Sequence, residues 1–146
     1  MSKVRECALI ALLAVLIALS GSFKIPGPLP GTEFQLSAPI AVAIAACFGF
    51  KRYILAGIVA SFVCLMLGTH TFINVIIAMT FRVVAGGIVA LLGSNIFVVA
   101  IAGPLGTAAA RVALWALLGK GLIPMLIASS PGMIYTALTA WPCTLL

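Results

Sequence analysis

The sequence predicts an all-α membrane protein, a bundle of about six transmembrane helices in one domain with both termini on the cytoplasmic side. Apolar residues make up 64% of the 146 residues and charged residues only 7%, whereas soluble domains carry roughly 25% charged residues. A transmembrane helix needs about 17 to 25 mostly apolar residues. The long windows without charge are 7–23, 34–50, 53–81, 83–110 and 121–146. Two of these windows are long enough to hold more than one helix, which predicts about six spans.

The first three spans are placed by charges and turn residues. We predict the first at 4–20 and the second at 34–50, where Lys51 and Arg52 end it. The third is predicted at 53–67, and a turn at 68–71 follows. This turn, Gly68-Thr69-His70-Thr71, can cap the start of the fourth span.

The last three spans are placed by turns and prolines. We predict them at 71–92, 96–119 and 131–146, with a turn at 93–95 between the first two. Pro104 falls inside the fifth span, where neighbouring helices can compensate for the lost backbone hydrogen bond. Ser129 or Ser130 as a cap, followed by Pro131 at the first helical position, is typical of a helix start. The sixth helix is therefore expected to begin at Pro131.

The distribution of basic residues predicts the orientation. An even number of spans places both termini on one side, together with the turn that holds Lys51 and Arg52. Because cytoplasmic loops are enriched in Lys and Arg, this side is predicted to be cytoplasmic, in a multi-pass protein of the cell membrane. The net charge of +6 follows from this bias and from two arginines within spans, so no nucleic-acid partner is expected. An alternative interpretation of the N-terminal segment is a cleaved secretory signal peptide.

The residue inventory argues against an enzyme. Glu6 and Glu33 are the only acids and His70 is the only histidine. Paired carboxylates and most metal sites therefore lack their groups. The cysteines show no paired spacing, and no Gly-rich phosphate loop occurs. We predict no catalytic activity, no cofactor and no metal.

Small residues line one face of the first predicted helix. Cys7, Ala11, Ala14 and Ala18 are spaced by four, three and four, which places them on one stripe where another helix can approach closely. This stripe can serve packing inside the bundle or contact with a partner subunit. Similar pairs such as Gly57/Ser61 in the third span favour internal packing on spacing alone.

Two arginines lie within predicted spans, where a charge is costly and is normally functional or paired. On the fourth helix Arg82 shares a small and polar face with Asn74, and on the fifth helix Arg111 lies on a stripe with Trp115. One interpretation is that at least one arginine binds a carboxylate or other anionic ligand. The other is that both bind backbone carbonyls or extend to lipid phosphates.

The loop between the first two spans is rich in proline. Pro26, Pro28 and Pro30 stiffen it, and polar side chains follow at Thr32 and at nearby positions 33 and 35. A stiff loop that ends in hydrogen-bonding groups suits a lid over a small polar ligand. We therefore predict that this loop contributes to a ligand site on the outer side.

These features resemble the substrate-binding S components of energy-coupling factor transporters, small six-helix membrane proteins that capture vitamins. The resemblance covers most of the chain: the Ala-rich first helix, the Pro-rich loop that ends in Thr32 and Gln35, the Gly-Phe-Lys-Arg turn, and the Ser-Pro-Gly at 130–132. The first loop is most similar to that of biotin transporters. The resemblance therefore implies a membrane subunit that captures a vitamin-sized molecule, with biotin as the first candidate.

The resemblance also implies partners and site residues. S components work with a coupling membrane subunit and two ATPase subunits, and their A-x-x-x-A surface matches Ala14 and Ala18 here, with Ala11 on the same stripe. Two alternatives are a self-sufficient small-molecule transporter and a noncatalytic assembly subunit of a membrane complex. The residues that we predict to bind the substrate are Thr32, Glu33, Gln35, Asn74, Arg82, Arg111 and Trp115.

Overall fold

The structure is a computed structural model that describes residues 2–26, 33–119 and 121–145. Within these ranges the chain forms six α-helices and one short antiparallel hairpin, which confirms the predicted helical fold class. In chain order the elements are α1 (Lys3–Ser22), β1 (Lys24–Pro26), β2 (Glu33–Gln35), α2 (Ser37–Phe48), α3 (Phe50–Met66), α4 (Phe72–Leu92), α5 (Ile96–Leu118) and α6 (Leu122–Thr144).

The sixth helix corrects one prediction, because α6 begins at Leu122 and not at Pro131. Proline has no backbone N–H, so the carbonyl of Ile127, four residues earlier, receives no bond from Pro131. The hydroxyl of Ser130 donates to this carbonyl at 2.7 Å. The serine beside the proline therefore satisfies the carbonyl that the proline leaves without a donor, so the helix continues through Pro131, as in other membrane helices. The other five helices begin and end within one turn of their predicted bounds.

Short connections reverse the chain between helices. Gly49 alone joins α2 to α3 with a φ of 85°, a conformation that favours glycine. The turn at 68–71 caps α4 through Thr71, whose Oγ1 accepts a hydrogen bond from the backbone N–H of Asn74 at 3.4 Å. Consecutive helices joined by such turns run in opposite directions. The hairpin, the start of α4, the end of α5 and the start of α6 therefore lie at one end of the bundle.

Helix α2 lies at the centre of the bundle and contacts the other five helices. Residues 41–45 are all buried, and most of them are alanines that let the neighbouring helices approach closely. The buried residues form two clusters on either side of α2. One joins α1, α2 and α3, and the other joins α2, α4, α5 and α6.

Four of the helices, α1, α4, α5 and α6, are long and apolar enough to cross a membrane. Helix α2 has 12 residues, which corresponds to about 18 Å against a hydrocarbon core of about 30 Å. Large apolar side chains face outward, for example Leu12, Phe97 and Leu138, which are 69%, 78% and 71% exposed. The protein is thus a multi-pass membrane protein. The number of crossings and the side of the termini stay predictions.

Candidate functional site

The ends of the Pro-rich loop are held together by the hairpin. Strands β1 and β2 pair so that Lys24 faces Gln35 and Pro26 faces Glu33, and β2 contacts α6. Thr32 lies outside the described residues, and only the backbone is described at Glu33 and Gln35. The hairpin therefore places two of the three predicted loop residues at the end of the bundle where α6 begins.

Arg82 is buried in α4 and is anchored to α3. Its side chain is 7% exposed, and Nη1 donates to the carbonyl of Gly57 at 2.9 Å and to the hydroxyl of Ser61. Nη1 also lies 3.4 Å from the sulfur of Met79. Interhelical bonds to a buried cation satisfy part of its hydrogen-bonding capacity. These bonds agree with the interpretation that Arg82 binds a backbone carbonyl. The acceptor is the carbonyl of Gly57 in α3.

Gly57 makes room for this arrangement. A Cβ atom at Gly57 would lie 2.5 Å from Cδ and 2.8 Å from Nε of Arg82, well inside van der Waals contact. The Gly57/Ser61 pair was interpreted from the sequence as a close-packing surface for a helix. In the structure the pair receives the Arg82 side chain, and spacing alone does not distinguish these two uses of small residues.

Tyr53, which no sequence motif marks as a site residue, lies near this cluster. It is fully buried, and its hydroxyl has no hydrogen-bond partner among the described residues. Its ring lies 3.0 Å from where a Cβ of Gly86 would stand, one turn along α4 from Arg82. In the sequence, the one feature that could have drawn attention to Tyr53 is its place in an apolar window directly after the basic pair Lys51 and Arg52.

Arg111 differs from Arg82 in its surroundings. It is half-buried on α5, and it has no hydrogen bond or ion pair with the part of the chain that the structure describes. Trp115, one turn further along α5, is 43% exposed. At 1.5 Å per residue, Arg111 lies about 10 Å from the end of α5 and Arg82 about 15 Å from the start of α4. Arg82 is therefore the deeper of the two.

Asn74 is exposed in the first turn of α4. It lies about 12 Å along the helix axis from Arg82, at 1.5 Å per residue. Among the described residues, the structure places Asn74, Arg111 and Arg82 at three different depths, and no hydrogen bond joins them. These assignments to a substrate site stay predictions.

A shallow groove runs along an outward face of α4, and every residue that lines it belongs to this helix. Its one polar group is Thr80, whose hydroxyl already donates to the carbonyl of Ile76 at 2.9 Å. A groove without an available polar group suits lipid acyl chains and not a polar ligand. None of the predicted substrate-binding residues lines it. The lining residues are Phe72, Val75, Ile76, Met79, Thr80, Val83 and Val84.

The small-residue stripe of α1 is divided between the core and the surface. Ala14 is 3% exposed in the cluster that joins α1, α2 and α3, and Ala18 packs against that cluster. Ala11 is exposed. Ala14 thus packs inside the bundle, which agrees with the internal-packing alternative. Contact between this stripe and a partner subunit stays a prediction.

Taken together, these features define a class of protein: a multi-pass helical membrane protein with intramembrane arginines and a hairpin over one end of the bundle. The chain is 52% identical over 139 residues to Protein BioX of Lysinibacillus sphaericus, an alignment that covers 95% of this chain and 84% of that protein. The chain therefore belongs to the BioX family. This relationship confirms the S-component family that the sequence predicted. No family model and no solved structure match the chain.

Proposed function

We propose that this protein captures biotin at the outer face of the cell membrane as the S component of an energy-coupling factor transporter. It is a noncatalytic subunit, and a coupling membrane subunit with two ATPase subunits supplies the energy for uptake. The observation that carries this proposal is the membership of the BioX family, at 52% identity over 95% of the chain. The similarity of the first loop to that of biotin transporters supports biotin as the substrate.

The site that we propose lies at the end of the bundle that carries the hairpin. Strand β2, the start of α4, the end of α5 and the start of α6 converge there. We expect Thr32, Glu33 and Gln35, the predicted residues of the Pro-rich loop, to contribute polar groups to this site. Asn74 supplies an amide at the start of α4, and Trp115 supplies an aromatic surface above Arg111.

The arginines suggest how an acidic ligand is held. Arg111 is half-buried and has no ion pair with the described part of the chain, and Arg82 retains N–H groups beyond those of Nη1. A carboxylate is the natural partner of such a group, because charge-assisted bonds to arginine are among the strongest in proteins. Biotin carries a carboxylate at the end of a flexible chain, which suits a charge placed below the mouth of a site.

Binding of biotin to the purified protein tests the substrate. Calorimetry in detergent should give saturable binding, and both Arg111→Gln and Arg82→Gln should weaken it, since loss of a charged contact costs about 1.5 to 3 kcal/mol, or roughly 10- to 150-fold. If both variants bind biotin normally and only unfold more easily, the arginines are structural. If the unaltered protein binds no biotin, the substrate assignment is wrong.

Copurification tests the partners. We expect the protein to be isolated from membranes together with two ATPase subunits and a coupling membrane subunit. If the protein binds biotin but no ATPase subunit copurifies with it under any mild condition, the self-sufficient transporter is favoured. Copurification with a different membrane complex, and no ligand binding, would favour the assembly subunit.

A further inference from the structure

We propose that α3 positions the Arg82 guanidinium to bind a carboxylate with both of its oxygens, and that Gly57 and Ser61 are the positioning residues. This inference rests on the proposed function, because it assigns the acidic group of the captured molecule to Arg82. It adds a role for α3, a helix that contributes none of the predicted substrate-binding residues.

The hydrogen bonds of Arg82 all leave from one nitrogen. Nη1 donates to the carbonyl of Gly57 at 2.9 Å and to the hydroxyl of Ser61, and it lies 3.4 Å from the sulfur of Met79. A guanidinium has five N–H groups, of which Nη1 carries two. The three on Nε and Nη2 have no partner among the residues that the structure describes.

The contacts with α3 also fix which edge of the guanidinium remains available. The position of a Cβ on Gly57 would be closest to Cδ of Arg82, at 2.5 Å, and the carbonyl of the same residue accepts from Nη1. Cδ and Nη1 lie on the same side of the Nε–Cζ bond in a guanidinium. The hydrogen bonds to α3 therefore use Nη1, and the N–H groups of the Nε–Nη2 edge have no partner among the described residues. Two parallel N–H groups on one edge match the two oxygens of a carboxylate.

The depth of Arg82 in the bundle indicates a role beyond joining α3 to α4. Arg82 is 7% exposed in the middle of a helix that is apolar enough to cross a membrane, and a buried charge at this depth is costly without an anionic partner. The chain has two acidic residues, and one of them, Glu6, pairs with Arg52 at 3.6 Å. A carboxylate brought by the ligand supplies the missing charge.

The test compares biotin with biotin amide, in which a neutral amide replaces the carboxylate, on Ser61→Ala, Ser61→Thr and the unaltered protein. Ser61→Ala removes one acceptor of Nη1 with little change in volume, so Arg82 should lose its orientation. We expect biotin affinity to fall about 3- to 18-fold, the range that corresponds to interhelical bonds of about 0.6 to 1.7 kcal/mol. The affinity of Ser61→Ala for biotin amide should equal that of the unaltered protein. Ser61→Thr, which keeps the hydroxyl, should bind biotin as tightly as the unaltered protein does.

The matched control is Ser20→Ala. Ser20 is also buried, but its hydroxyl donates within its own helix, to the carbonyl of Ile17 at 3.0 Å. We expect this variant to bind both compounds as the unaltered protein does. In an Arg82→Gln background, Ser61→Ala should lower biotin affinity no further, because the group that it positions is gone.

Different results overturn different claims. If Ser61→Ala weakens biotin and biotin amide equally, or changes only the melting temperature, Ser61 has a structural role and this inference is wrong while biotin capture stands. The same holds if the unaltered protein binds the amide as tightly as the acid. If the unaltered protein binds neither compound, the proposed function fails, and this inference fails with it.

Discussion

Gly57→Ala offers the sharpest test of how Arg82 is packed. The added Cβ would lie 2.5 Å from Cδ, 2.8 Å from Nε and 3.2 Å from Cζ of Arg82, whereas ordinary contacts between such atoms are about 3.5 to 4.0 Å. The arginine must move by about 1 Å or more to restore such a contact. The 2.9 Å bond from Nη1 to the carbonyl of Gly57 and the bond to Ser61 cannot both survive this movement.

The expected magnitude follows from three contributions. Overpacking costs about 1 to 3 kcal/mol, and the two interhelical bonds contribute about 0.6 kcal/mol each on average in a membrane protein. Replacing glycine by alanine within a helix returns about 0.5 to 1 kcal/mol. We therefore expect Gly57→Ala to lower the free energy of unfolding by about 1 to 4 kcal/mol. At about 2 to 4 °C per kcal/mol for a chain of this size, the melting temperature should fall by about 2 to 16 °C.

The assay is thermal unfolding in detergent, with Gly87→Ala as the matched control. Gly87 lies in α4, and a Cβ there would meet nothing within 4 Å, so alanine should leave the stability unchanged or raise it by up to about 1 kcal/mol. In an Arg82→Ala background, Gly57→Ala should also be harmless, because the clash is removed. If Gly57→Ala is as stable as Gly87→Ala, or remains harmful without Arg82, then Arg82 does not lie against Gly57 and the reasoning fails.

Three further predictions concern other contacts. Tyr53→Phe removes a buried hydroxyl that has no partner among the described residues, so stability should be unchanged or higher, and a loss above about 1 kcal/mol would contradict this. Ala14→Leu should destabilise the isolated protein by about 1 to 3 kcal/mol because Ala14 is buried, whereas the exposed Ala11→Leu should impair only assembly with the coupling subunit, measured by copurification. Glu6→Gln breaks an exposed 3.6 Å pair with Arg52 and should cost less than about 1 kcal/mol in thermal unfolding at low salt; a larger loss would indicate a stronger pair.

The helices were predictable because charge and turn residues mark their ends. Lys51 and Arg52 fall in the first turn of α3, and Thr71 caps α4. The start of α6 was not predictable, because a serine before a proline is equally compatible with a helix start and with a continuous helix. In the structure the backbone is helical from Leu122 onward, and the hydroxyl of Ser130 donates back to the carbonyl of Ile127.

The surroundings of the arginines were only partly predictable. The periodicity of α4 placed Arg82 on a small and polar face, but periodicity does not tell which helix packs against that face. The partners at Gly57 and Ser61 come from a third-span pair whose spacing also fits close helix packing. The same limitation applies to α1, where spacing placed Ala11 and Ala14 on one stripe but did not predict that only Ala14 is buried.

The most direct test of the central claim is biotin uptake by proteoliposomes, with labelled biotin outside and ATP inside. We expect uptake when the protein is reconstituted with the coupling membrane subunit and both ATPase subunits, and none when the protein is alone or when ATP is omitted. A matched preparation of the complete assembly with the Arg82→Gln and Arg111→Gln variants should transport less biotin at limiting concentration. Biotin uptake by the protein alone, or no biotin uptake by the complete assembly with ATP, would contradict the proposed function.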